Sequence, residues 1–178
     1  MKNTNRFLIL LFPCLLLGLA GCGPEPGSQA DATPADAASD LILTEVPDSA
    51  PGLLEALQEA RPGTAILFTG RVGGTLEPFS EGFAGFVVAD EVLEFCDEMG
   101  DDSHCKTPWD ACCEDPGKIA ASRAFVQFVD EAGDPLMMDL QESVGLAAND
   151  TVVVRGTLSP DSTPENRIIL AEGLAVVE

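Results

Sequence analysis

The 178-residue chain has no tyrosine, one tryptophan (Trp109), one histidine (His104) and only nine Lys plus Arg against 30 Asp plus Glu. Each shortage excludes something. With a single histidine, most acid–base catalysis lacks its usual carrier. No Gly-rich phosphate loop, Ser-centred elbow or H-E-x-x-H motif is present, so no catalytic constellation is legible and the chain reads as a non-enzyme. The lack of cations leaves a net charge of −21, a field that repels phosphate backbones and anionic headgroups. Nucleic acid is therefore not an expected partner. Asp97, Glu98, Asp101 and Asp102 cluster but lack the D-x-D-x-D-G ladder and closing Glu of a calcium loop. The main apolar run, Phe7 to Ala20, is about 14 residues, short of the ~20 that a membrane-spanning helix needs.

What is present at the N-terminus is an export signal. Lys2 and Arg6 precede the apolar run, and Leu19-Ala20-Gly21-Cys22 follows it. A basic start, a short apolar core and small residues at a cleavage point make a signal peptide over 1–21. The tetrapeptide resembles the lipobox of bacterial lipoproteins. That resemblance implies cleavage before Cys22 and acylation of its thiol, with the membrane as the partner through Cys22. Several acyl chains hold firmly where one holds weakly. Gly23 stands where an Asp would imply inner-membrane retention, so the resemblance favours the periplasmic side of the outer membrane over the inner. Removal of 1–21 leaves seven cations against 30 acids, a net charge near −23.

Residues 22–40 read as a lipidated cysteine and a disordered tether, because Gly23–Asp40 is rich in Pro, Ala, Asp, Ser and Gly and has no large apolar side chain. Such a tether spans ~25 Å as a random coil. A globular domain follows over 41–178. Leu41–Val46 is a short strand or an extended lead-in. Ser49 as cap, Pro51 in the first turn, and Leu53, Leu54, Ala56 and Leu57 predict a short amphipathic helix to about Ala60, stopped by Arg61-Pro62-Gly63. Five strand-like runs are Ala65–Val72, Phe83–Ala89, Ala124–Val129, Thr151–Leu158 and Ile168–Val177, the last with a break at Gly173 as an option. Pro135–Leu140 extends a hairpin after the turn Glu131–Asp134, and Gln141–Leu146 suits a helical turn.

The order of three strands, an interlude and two strands resembles the OB-fold. Thr69-Gly70-Arg71-Val72 looks like its first-strand bend, Asn149–Gly156 like its fourth strand, and Ile168–Val177 like its last. The expected class is mainly β: a small five- to six-stranded OB-like barrel with a short N-terminal helix and a long Cys-rich loop between strands 2 and 3. OB-folds that bind nucleic acid pair a basic face with stacking aromatics. Here cations are few, and Phe79, Phe83, Phe86, Phe125 and Phe128 are expected in the core, so the resemblance does not carry that function.

The chemistry collects in the insertion 90–122, where Cys96, Cys105, Cys112 and Cys113, His104 and Trp109 all fall. A loop of that length far exceeds a hairpin connection, and its polarity makes cross-links the expected means of ordering it. Four cysteines in an exported chain favour two disulfides, with Cys112 and Cys113 reaching back to Cys96 and Cys105, because bonding between adjacent residues is strained. The alternative is zinc held by the four thiolates, with His104 as a spare ligand; the C-x8-C-x6-CC spacing does not match paired C-x2-C knuckles. The third reading is a thiol oxidoreductase, which the acidic surroundings disfavour by raising thiol pKa. Trp109 is expected to pack the loop onto the barrel. The segment C…HC-x-TPWD-x-CC resembles one found in exported bacterial lipoproteins, which implies no particular activity. No cofactor is expected outside the zinc alternative. The function expected is a membrane-anchored binding or structural module of the cell envelope, its partner an envelope protein or a small ligand.

Overall fold

The structure, a computed structural model, describes residues 34–100 and 106–177. The signal peptide, Cys22, most of the expected tether, His104 and Cys105 lie outside the described residues. Five strands close a barrel in the order β1-β2-β3-β5-β4. They are β1 (Ala65–Val72), β2 (Gly85–Ala89), β3 (Arg123–Phe128), β4 (Thr151–Leu158) and β5 (Ile168–Val177). All neighbours run antiparallel except β3 and β5, which are parallel. This is the small OB-like barrel that the strand order predicts.

Period-two alternation makes the strands. In β1, Ile66, Phe68, Gly70 and Val72 face in, and in β3 Ala124, Val126 and Phe128 do so. Phe68, Phe86, Phe128, Leu158, Ile169 and Leu174 are almost wholly buried. Each such side chain contributes roughly 1.5–3 kcal/mol by leaving water. The fifth strand does not break at Gly173. It continues through a register shift in which Arg155 pairs with Gly173 and Gly156 with Ala171, so Glu172 is the extra residue. Bulges of this kind bend a strand without ending it.

Phe83 and Phe125 depart from the expected core. They are half-buried and meet edge to face, ring centres 6.2 Å apart, on either side of Gly85, whose missing side chain leaves them room. The second strand accordingly starts later than expected, at Gly85, after a turn in which Ser80 N–H donates to the Gly85 carbonyl (2.9 Å).

The described residues also form four short helices: α1 (Pro34–Asp40), α2 (Leu53–Glu59), α3 (Pro116–Ala121) and α4 (Leu140–Val144). The last seven residues of the segment read as tether are thus helical. The lead-in after them is held to β5 by reciprocal bonds between Leu43 N–H and the Leu174 carbonyl and between Leu174 N–H and the Leu41 carbonyl, 2.8 Å each. Helix α2 inserts Leu53, Ala56 and Leu57 into the core. Its cap is not Ser49. Gly52 takes the N-cap position without a side chain, and the Asp90 carboxylate, 36 residues on, accepts the Leu54 N–H at 2.7 Å. A side chain at Gly52 would meet that carboxylate at 2.8 Å, so glycine there admits a cap from another element. Helix α4 is capped locally: the Asp139 carboxylate accepts from Gln141 and Glu142 N–H, and Gly145 closes the end in the left-handed conformation.

Candidate functional site

The connection between β2 and β3 is more than a loop. Leu93, Phe95 and Ala111 are buried with Ala89, and Ile119 of α3 packs against them, in a cluster separate from the barrel core. Helix α3 starts where Asp115, followed by Pro116, accepts Gly117 and Lys118 N–H, the usual side-chain cap with proline in the first turn. The Glu114 carboxylate bonds Lys118 Nζ and accepts Glu94 N–H at 2.9 Å. Those two bonds, the lysine's foremost, hold the Glu114 carboxyl below its ordinary value of 4.5. The described residues of this segment bury apolar side chains of their own and make polar contacts with one another. The residues responsible are spread thinly among acids, so no periodic pattern announces them.

Arg71, on β1, ties the segment to the barrel. Its guanidinium forms ion pairs with Asp97 and with Glu98 (2.9 Å to the latter). Its Nε donates to Asn149 Oδ1 at 3.2 Å, and its Cζ lies 4.2 Å from the centre of the Phe95 ring. One cation thus meets two carboxylates, an amide and an aromatic face. In the sequence Arg71 falls in a strand bend, and its one signal there is that it is the only charged side chain of β1.

Trp109 fastens the segment at a second point. Its indole N–H donates to the Leu76 carbonyl at 3.0 Å, and its own carbonyl accepts Gly74 N–H at 2.8 Å. Gly73 and Gly74 have φ of +151° and +74°, and a Cβ on Gly73 would strike the Trp109 carbonyl oxygen. Only glycine allows that backbone path and that approach. The indole then forms one wall of an open groove of about 590 Å³. The β1–β2 connection, Leu76 to Glu81, also lines it, as do Asp139, Gln141, Ala147 and Ala148 in and around α4.

The cysteines divide. Cys96 is buried, and its Sγ lies 3.7 Å from Cys112 Sγ. Cys112 and Cys113 are at the surface. Backbone bonds from Cys96 N–H to the Asp110 carbonyl (2.8 Å) and from Asp97 N–H to the Pro108 carbonyl (3.2 Å) bring the two cysteine-bearing stretches alongside each other. Among the described residues no three His, Cys, Asp or Glu side chains converge to hold a metal ion, and no helix is long and apolar enough to cross a membrane.

No protein-family model matches the chain, and no curated protein or solved structure matches it.

Proposed function

We propose that the protein is an exported lipoprotein, anchored in the membrane through acylated Cys22, whose OB-like barrel serves the cell envelope as a binding module. The observation that supports binding is the groove beside Trp109: open, walled by an oriented indole, and placed on the β1–β2 connection, one of the loops with which OB barrels take ligands. The anchor is supported by Leu19-Ala20-Gly21-Cys22 behind a basic start and a short apolar run. In the oxidising compartment outside the inner membrane, Cys112 and Cys113 form disulfides that reach back to Cys96 and Cys105; the 3.7 Å between Cys96 and Cys112 Sγ supports pairing of those two. Closing the 16-residue interval between Cys96 and Cys112 contributes about 3 kcal/mol in the chain-entropy model.

Two measurements test this reading. Radiolabelled palmitate should enter the wild-type chain and not C22S, which should leave the membrane fraction; label retained in C22S overturns the anchor. Mapping of peptides alkylated before and after reduction should recover a Cys96–Cys112 linked pair. Four thiols that alkylate only after chelation would replace the disulfides with a metal site.

A further inference from the structure

We propose that the groove beside Trp109 takes a cationic peptide segment bearing an apolar side chain, its Lys or Arg heads meeting Glu77, Glu81 and Asp139 and its apolar side chain covering Leu76, Phe79 and the indole. The proposal rests on the reading of the barrel as a binding module and names its partner.

Two independent observations converge on it. The first is apolar. Leu76 is 59 % exposed although its own carbonyl is fixed by the Trp109 indole N–H. The leucine is thus held in water beside the half-buried Phe79 and Trp109. A fixed apolar surface of this kind gains from being covered. The second is charge. Three carboxylates line the groove, from Glu77, Glu81 and Asp139, and among the described residues no lysine or arginine does. All three residues are exposed, in a chain whose net charge is −21. An anionic partner would be repelled at long and short range. An acyl chain would gain nothing from the carboxylates, and a neutral oligosaccharide could donate hydrogen bonds to them but would leave their three charges uncompensated. A peptide that alternates basic and apolar side chains satisfies both features, and a groove of about 590 Å³ accepts a few residues of it.

Trp109 is the only tryptophan in the chain, so its emission reports on the groove directly. The full chain, in non-ionic detergent, is titrated with a synthetic peptide alternating Lys and Leu, with its Glu–Leu and Ser–Leu counterparts, and with a neutral oligosaccharide. The Lys–Leu peptide should shift the emission saturably, and the other three should not. Affinity should fall about fivefold in the E77Q/E81Q variant, and by a similar factor between 50 and 500 mM salt. The E59Q/E172Q variant removes two exposed carboxylates outside the groove and should bind within about twofold of wild type. L76S should weaken binding without changing its salt dependence. Equal weakening in the two double variants would reduce the effect to attraction by the overall charge and overturn the proposal. A response to the acidic peptide or the oligosaccharide would keep the binding module and discard its cationic partner. No response to any probe would remove both. C22S should bind as wild type does, so failure of the membrane anchor is read separately.

Discussion

Arg71 and Gly73 show how single residues attach an acidic insertion to an apolar barrel. Arg71 is mostly shielded, while its partners Asp97 and Glu98 are one-third and one-half exposed, so solvent discounts each ion pair. The hydrogen bond from Arg71 Nε to Asn149 Oδ1 and the stacking on Phe95 are less screened. Arg71→Ala should therefore cost about 1–2 kcal/mol in chemical denaturation, with amide exchange accelerating at residues 95–98 and not in β4. Uniform acceleration across the barrel would mean that the arginine supports the strand and not the insertion. Gly73→Ala should displace the Trp109 backbone, because the added methyl has no space beside that carbonyl. The expected readout is a red-shifted emission from Trp109 and a loss of roughly 1–3 kcal/mol; unchanged emission would contradict the seating described for the indole.

At the scale of elements, the insertion and helix α2 depend on each other through Asp90. One of its carboxylate oxygens accepts Leu54 N–H and the other Val92 N–H, so it caps the helix and turns the chain into the insertion at once. Asp90→Ala should cost about 1 kcal/mol, as loss of an N-cap does, and should loosen α2 in hydrogen exchange even though no residue of α2 has changed. Glu114 adds a pH dependence. Its folded pKa lies below the ordinary 4.5 because Lys118 and the Glu94 N–H favour the carboxylate. Its contribution is therefore present above about 4.5 and is lost as pH falls through the lower folded value. Glu114→Gln should lower stability at neutral pH, and the gap to wild type should close in acid; a constant gap from pH 7 down to pH 2 would refute the assignment. Neither link had a local sign in the sequence. Ser49 looked like the cap of α2 because it lay at a suitable distance before the apolar positions, whereas the group that performs the task comes from the other side of β2. The capping of α3 by Asp115, ahead of Pro116, was by contrast a local pattern and open to reading.

For the molecule as a whole, a charge of −21 sets carboxylates against one another across the compact domain. Self-repulsion of that kind destabilises the folded state and is screened by salt. The melting temperature should rise by a few degrees, about 1 kcal/mol, between low salt and 0.5 M; a fall would mean that the ion pairs at Arg71 and Lys118 outweigh the repulsion. The sequence by itself determined the barrel. Alternating apolar positions, glycines at bends and the spacing of five runs are short-range properties, and β1, β4 and β5 lie at the limits that periodicity assigns. Only the tertiary structure decided what the insertion rests on. Leu93, Phe95, Ala111 and Ile119 follow no strand or helix period as a set, and Arg71, Asp90 and Trp109 act on groups as far as 78, 36 and 33 residues away. Contacts of that range depend on how the barrel folds back on itself, and no stretch of neighbouring residues encodes them.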